Sequence, residues 1–270
     1  MTASARAARS VVICHVYNEE LLLPYWLAHH RRLFDHGVIL DYASTDGTRA
    51  AFERAGLGWE FRPSRNEWFD PEAVDAEVMD VEAEFAEGVW KMALNVTEHL
   101  LVSSLDRITG RCRPDVGAVA IETAAMVDPP SHRALPVSPR IPLYLQRHHG
   151  VIGRRSPRVL HRALRGEYEV GRHRTRLPCE SADELVLWWA FSPFDALKRA
   201  CSRSVHGSRR QPCASAWATT TWWTRKAWNS ATSATSRART TSSVSRASSS
   251  PCSTSAASGP TVTYAENQPG

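Results

Sequence analysis

Asp41 closes the apolar run Val38-Ile39-Leu40 and is the first residue of this chain placed to do chemistry. In open α/β sheets, ligands bind outside the carboxyl ends of parallel strands. A carboxylate at such an end accepts hydrogen bonds from a ribose hydroxyl or a base N–H. Asn18-Glu19-Glu20 follows an earlier apolar run of the same kind. If the two runs are neighbouring parallel strands, both polar sets meet at one edge of one cleft. A strand-end acid also serves as a turn residue, and Ser44-Thr45-Asp46-Gly47-Thr48 makes an ideal loop-to-helix cap.

The elements that would position these groups follow from periodicity. Residues 11–16 form a β-branched run bounded by polar residues, which reads as a buried strand. Leu22, Leu23, Trp26, Leu27, His30, Leu33 and Phe34 then recur at helical spacing, with Asn18 available as a cap, Pro24 in the first turn and Gly37 closing the segment. Residues 38–40 predict a second strand, a short helix ends near Gly56, and residues 59–62 predict a third strand. This alternation within about fifty residues implies a parallel sheet wound by right-handed crossovers. Asp70-Pro71 starts a helix with Val74, Val78, Val81 and Phe85 on one face, and Gly88 stops it. Residues 89–95 and 100–102 flank the polar knot Asn95-Val96-Thr97-Glu98-His99, and residues 116–127 predict a further strand. The Pro-rich segment 128–142 predicts a surface loop bordering a cleft. Leu185, Leu187, Trp188 and Phe191 read as the packing face of a helix whose first turn holds Asp183 and Glu184. His148 and His149 are adjacent, and in an extended segment they would point to opposite faces and share no ion.

Together, VVICHVYNEE (11–20) and VILDYASTDGT (38–48) resemble the opening of family 2 glycosyltransferases, where a strand enters an Asn-Glu-rich turn and the next ends in Asp-Asp-Gly-Ser-Thr-Asp-Gly-Thr. The intervening LPYWLAHHRRLFDHG (23–37) is similar to the variant whose first helix carries paired histidines. Tyr42 stands where the family has its second aspartate and Ala43 where it has glycine. The resemblance covers residues 10–198. It implies an α/β, GT-A-like fold: a Rossmann-type mixed, mostly parallel sheet flanked by helices. The implied activity is transfer of a sugar from a nucleotide-diphosphate donor to an acceptor. By the same resemblance Asp41 holds the base or ribose, with Asn18 and Glu19 or Glu20 beside it. Asn95 to Glu98 occupies the place of the family's Asp-x-Asp, which binds a divalent ion bridging the donor's phosphates. Asn95 and Thr97 stand for the aspartates and Glu98 is the remaining carboxylate; Mg²⁺ or Mn²⁺ takes oxygen ligands. His173 matches a histidine that helps hold the metal or diphosphate, with Arg162 and Arg172 as phosphate partners through their forked guanidinium groups. A general base for the acceptor hydroxyl is expected from Asp183 or Glu184, with the acceptor entering from the 128–142 side.

Charge distribution removes other classes. Residues 201–270 carry eight Lys/Arg and one acid, so the front portion has a net charge of −2 and the pI near 9.0 belongs to the tail. No basic stripe marks the front portion, which argues against nucleic-acid binding. No GxGxxG follows the first strand, which disfavours a dehydrogenase. A degenerate, non-catalytic member of the same fold is the alternative reading, and a purely structural module would lack any acidic cleft. The cysteines show no CxxC or zinc spacing, which fits a reduced, cytoplasmic setting. No apolar run reaches membrane-spanning length; peripheral association with a membrane is left open. Residues 1–198 are expected to form the α/β domain and 199–270 a low-complexity tail. In that tail 42 of 58 residues from 201 to 258 are Ser, Thr, Ala or Arg, and four tryptophans occur without aliphatic partners. This composition predicts a GC-rich gene read in a shifted frame from about residues 199–210.

Overall fold

The computed structural model describes residues 8–66, 70–129, 131, 135–152 and 156–193. The 199–270 tail, with its tryptophans, three of the six cysteines and the predicted frame change, lies outside the described residues, as does the domain boundary expected at residue 198.

Residues 10–82 alternate as predicted. Strand β1 (Ser10–Val16) leads to helix α1 (Leu23–His30), β2 (His36–Asp41), α2 (Thr48–Ala55), β3 (Glu60–Pro63) and α3 (Pro71–Glu82). Then come β4 (Trp90–Ala93), β5 (Glu98–Leu101), the single turn α4 (Asp106–Thr109), β6 (Ala118–Val127) and the single turn α5 (Leu143–Gln146). Strands β7 (Gly150–Ile152), β8 (Arg158–His161) and β9 (Cys179–Phe191) complete the described chain. The nine strands form one mixed sheet in the order β3-β2-β1-β4-β8-β6-β9-β5, with β7 on β6. The half built first, β3-β2-β1-β4, is wholly parallel. Beyond β4 the pairings turn antiparallel, except that β6 and β9 run parallel.

Alternation along each strand assigns the two faces. Val11 and Ile13 of β1 and Val38 and Leu40 of β2 pack with Val78, Val81 and Phe85 from α3 and the turn after it. Val12, Cys14 and Val16 and Ile39 face the other way, onto Leu23, Trp26 and Leu27 of α1. Asp70 caps α3, its Oδ1 accepting from Glu72 N at 2.9 Å and Ala73 N at 3.1 Å, which satisfies two of the four orphan donors of a first turn. The sheet curls until β5, at its far end, meets α1: His29 Nε2 lies 2.7 Å from Leu100 O, and Leu100 N donates to His30 Nε2 at 3.3 Å. Lys91 on β4 is fully buried, its Nζ donating to Ala86 O at 3.0 Å and Ala163 O at 2.8 Å.

Three expectations change. Asn18 does not cap α1, whose N-cap is Leu22 with no side-chain bond; Asn18 has φ +50 and its side chain turns to the next loop. Residues 179–191 form a strand, not a helix. A short, continuous apolar run has no decisive period, and Val186 and Trp189 are buried here as strand residues between β6 and β5. His148 and His149 do not diverge: no strand holds them, and their rings pack with centroids 4.5 Å apart.

Candidate active site at the carboxyl rim of the parallel strands

Pairing in register sets the site. Val16, the last residue of β1, pairs with Asp41, the last of β2, and Tyr42 N donates to Val16 O at 2.9 Å. The two strands therefore release their chains side by side, and the loops that follow interlock. Ser44 Oγ donates to Asp41 Oδ1 at 2.5 Å while accepting from Asn18 N at 2.9 Å, and Asn18 Oδ1 accepts from Thr45 N at 2.8 Å. One residue on, Glu19 N donates to Thr48 Oγ1 at 2.7 Å, and Glu19 is itself buried. Glu20 Oε2 accepts from Gly47 N at 2.7 Å, a second tie between the two loops. The cap expected from 44–48 is not formed by a side chain at the N-cap of α2, which is Gly47; Asp46 Oδ1 accepts from Thr48 N at 2.9 Å one residue earlier. Asn18 and Ala43 both have positive φ, +50 and +54. In Ala43 that is a strained backbone at the position where the resembling family has glycine.

On the other side of β1, β4 ends level with Ile13 and delivers Asn95 and Glu98 to the same rim. Glu98 is buried and forked by Arg158 of β8: Nε to Oε2 at 2.9 Å and Nη2 to Oε1 at 2.5 Å. Asn95 N and Nδ2 donate to the same carboxylate at 2.8 and 3.2 Å. Burial pushes the Glu98 carboxyl up, and Arg158 overcomes it and holds it below its ordinary range. Arg158 Nη1 reaches Gly171 O at 2.6 Å and His173 Nδ1 at 3.1 Å. Arg172, also buried, donates to Asp75 Oδ1 on α3 at 2.7 Å and to Asn95 Oδ1 at 3.0 Å, and its Nη2 lies 3.3 Å from His15 Nδ1. Asp75 Oδ2 also accepts from Gly171 N at 2.6 Å, holding Arg172 at φ +58.

Guanidinium groups only donate. His15 and His173 must therefore present lone pairs at Nδ1 and carry their protons on Nε2. Burial first, and the adjacent arginines next, push both rings toward neutrality; His173 falls to about 4. His15 also packs edge-on against Tyr42 at 6.0 Å, so the Asp41 loop and the Glu98 cluster form one continuous rim.

The residues singled out in the sequence divide three ways. Asn18, Glu19 and Asp41 meet at one edge, and Asn95, Glu98, Arg172 and His173 meet beside it. Arg162 is at the opposite rim: its N donates to Gly117 O before β6, and its Nη2 is spent on the carbonyls of Arg113, Pro114 and Val116, with the guanidinium 5.6 Å over Trp90. Asp183 and Glu184 lie in the bulge of β9 between Ala182 and Leu185, three strand pairings from β4, about 14 Å along the sheet. There they line an open groove of about 510 Å³ with Leu101, Ser103, Arg107 and Tyr144. Glu184 is paired with Arg111, whereas Asp183 is exposed. Sequence reasoning missed Arg158, His15 and Asp75, whose partners lie 60, 157 and 97 residues away.

The expected divalent ion finds no donor set here. Both oxygens of Glu98 are filled by Arg158 and Asn95, the Asn95 oxygen by Arg172 and the His173 lone pair by Arg158. Among the described residues no group of three or more His, Cys, Asp or Glu is placed to hold a metal. Nor is any helix there long and apolar enough to cross a membrane.

No family model matches the sequence, and no curated protein matches it. Among solved structures the chain is similar to a mannosyltransferase from Pyrobaculum calidifontis in complex with GDP-Man and Mn²⁺, at 15% identity and TM-score 0.43, covering 76% of this chain and 66% of that one. It is also similar to S. aureus TarS in complex with UDP, at 16% identity and TM-score 0.35, covering 57% and 46%. A third is glucosyl-3-phosphoglycerate synthase from Mycobacterium tuberculosis in complex with Mn²⁺, UDP-glucose and phosphoglyceric acid, at 12% identity and TM-score 0.33, covering 59% of each chain. The chain spans less than two thirds of the length of each of these proteins.

Proposed function

We propose that this chain is a glycosyltransferase that binds a nucleotide-diphosphate sugar at the carboxyl rim of β1, β2 and β4 and transfers the sugar to an acceptor. The observation that carries the reading is the in-register pairing of Val16 with Asp41, which joins Asn18 and Asp41 through Ser44. A strand-end carboxylate held this way accepts hydrogen bonds from a nucleoside, and the resemblance of residues 11–20 and 38–48 to family 2 glycosyltransferases supports the same use. Asp41 then orients the base or ribose, with Asn18 and Glu19 shaping the turn beside it. The Glu98 cluster sits one strand further along, where a diphosphate extending from that nucleoside would lie.

Transfer requires a carboxylate to take the acceptor hydroxyl proton. Of the two carboxylates expected in this role Asp183 is the proposed base, because its neighbour Glu184 is already neutralised by Arg111; the sugar and acceptor must then span the distance of about 14 Å between β4 and β9. The groove it shares with Arg107 and Tyr144 is the proposed acceptor entry, next to the Pro-rich 128–142 segment. Calorimetry with UDP and GDP tests the donor half: Asp41→Ala is expected to lose binding while its thermal unfolding stays cooperative. Unchanged nucleotide affinity in that variant would sink the assignment. Release of sugar from a panel of nucleotide sugars, above the level of an Asp183→Asn variant, separates an enzyme from a non-catalytic binder.

A further inference from the structure

The rim that the resemblance assigns to a metal has its oxygen lone pairs occupied and one buried N–H left over. A divalent cation needs oxygen lone pairs, and at the end of β4 the lone pairs are already taken. Glu98 accepts four hydrogen bonds, two from Arg158 and two from Asn95, which fills a carboxylate's capacity. What remains is donors. Arg172 Nε is buried with no hydrogen-bond partner, and an unsatisfied buried N–H needs an acceptor to account for it. Because Arg172 takes the Nδ1 lone pair of His15, that half-buried ring carries its proton on Nε2 and offers another donor at the same edge. Arg172 is held in a left-handed backbone conformation by Asp75, and backbone strain of this kind clusters where a side chain must be aimed.

We propose that this chain holds the diphosphate of its nucleotide without a divalent cation, using the Nε–H of Arg172 and the Nε2–H of His15 in the metal's place. The inference rests on the nucleotide-binding reading above and makes it more specific. The paired donors of Arg158 and Arg172 are already given to Glu98, Asp75, Asn95 and His15, and the remaining Nε–H of Arg172 is a charge-assisted donor to a phosphate oxygen that does not depend on a metal supply. Ion-pairing to Asp75 fixes the direction of Arg172 before the ligand arrives, which lowers the ordering cost of binding.

The test is calorimetric titration of the full chain with UDP and with GDP, in EDTA and again with Mn²⁺. The expected result is affinities agreeing within about twofold, with no isotherm for Mn²⁺ alone. Arg172→Lys keeps a charge for Asp75 but loses the unpartnered Nε–H, and is expected to weaken binding about tenfold in both buffers. Nucleotide binding that requires Mn²⁺, or Mn²⁺ binding that disappears in Glu98→Gln, would overturn the proposal while leaving nucleotide recognition intact. Absence of binding in both buffers would overturn both readings. The comparison of buffers uses the unaltered chain, so it stands even if Arg172→Lys does not fold.

Discussion

Glu98 is 3% exposed and keeps its charge because Arg158, 60 residues away in sequence, forks it. Removing one partner of such a pair strands the other as a buried charge, whereas replacing both with apolar groups is far better tolerated. Glu98→Ala is expected to cost about 3–5 kcal/mol in urea unfolding, and the double change Glu98→Leu with Arg158→Leu to recover most of it. A single-site cost below about 1 kcal/mol would mean the carboxylate is solvated, as at a surface salt bridge. Ala43 gives a second test by sign. Glycine at φ +54 relieves about 1 kcal/mol of left-handed strain and gives back a similar amount in unfolded-chain entropy. Ala43→Gly should therefore leave the urea midpoint level or raise it, while Ala51→Gly in α2 should lower stability by about 1 kcal/mol. Asp41 and Asn18 were legible in the sequence because one directly follows an apolar strand run and the other lies two residues beyond one, and strand ends fix location. The partner of Glu98 was not, since nothing local to Arg158 announces which acid it will meet. Arg162 shows the converse: its residue type suited phosphate, but only strand direction reveals that it leaves β8 at the wrong rim.

At the scale of elements, the helix α1 and strand β5 meet through histidines. His29 stacks on His99 with centroids 5.1 Å apart, His30 and Trp189 pack edge-on against His99, and both His99 nitrogens are buried without hydrogen-bond partners. Burial above all pushes these three rings toward neutrality, His30 and His99 furthest. A histidine whose folded pKa is depressed contributes fully above its unfolded value, about 6.5, and loses that contribution as pH falls toward the folded pKa. Each such ring should cost about 1.4 kcal/mol per pH unit below 6.5, His173 continuing to about pH 4. Urea midpoints measured from pH 7.5 downwards should therefore fall, and His99→Phe should be level or more stable at neutral pH and show a shallower fall. An unchanged slope in that variant would remove His99 from the account. The same region marks the limit of sequence reading. β1, α1, β2, α2, β3 and α3 were recognisable because their apolar periods and flanking turn residues marked them, although only α3 has the side-chain cap its sequence offered; β9 was not, because an apolar run buried between two strands shows no face.

For the molecule as a whole, the described residues divide into a parallel half that carries the rim proposed to bind a nucleotide and a mixed half that carries the groove at Asp183. The change of composition beyond residue 200 falls after the last of these strands. Resequencing the gene is expected to find a single-base insertion or deletion near codons 199–210, with a restored frame rich in leucine, isoleucine and aspartate; an unbroken frame confirmed in independent isolates would refute this. Lys91 brings a practical consequence. It is the only lysine among the described residues, and its ammonium is enclosed by two carbonyls with no exposure. Acylating reagents can therefore reach this amine only after β4 separates from its surroundings, so brief labelling followed by peptide mass spectrometry would count openings of the central sheet with a probe already present in the chain.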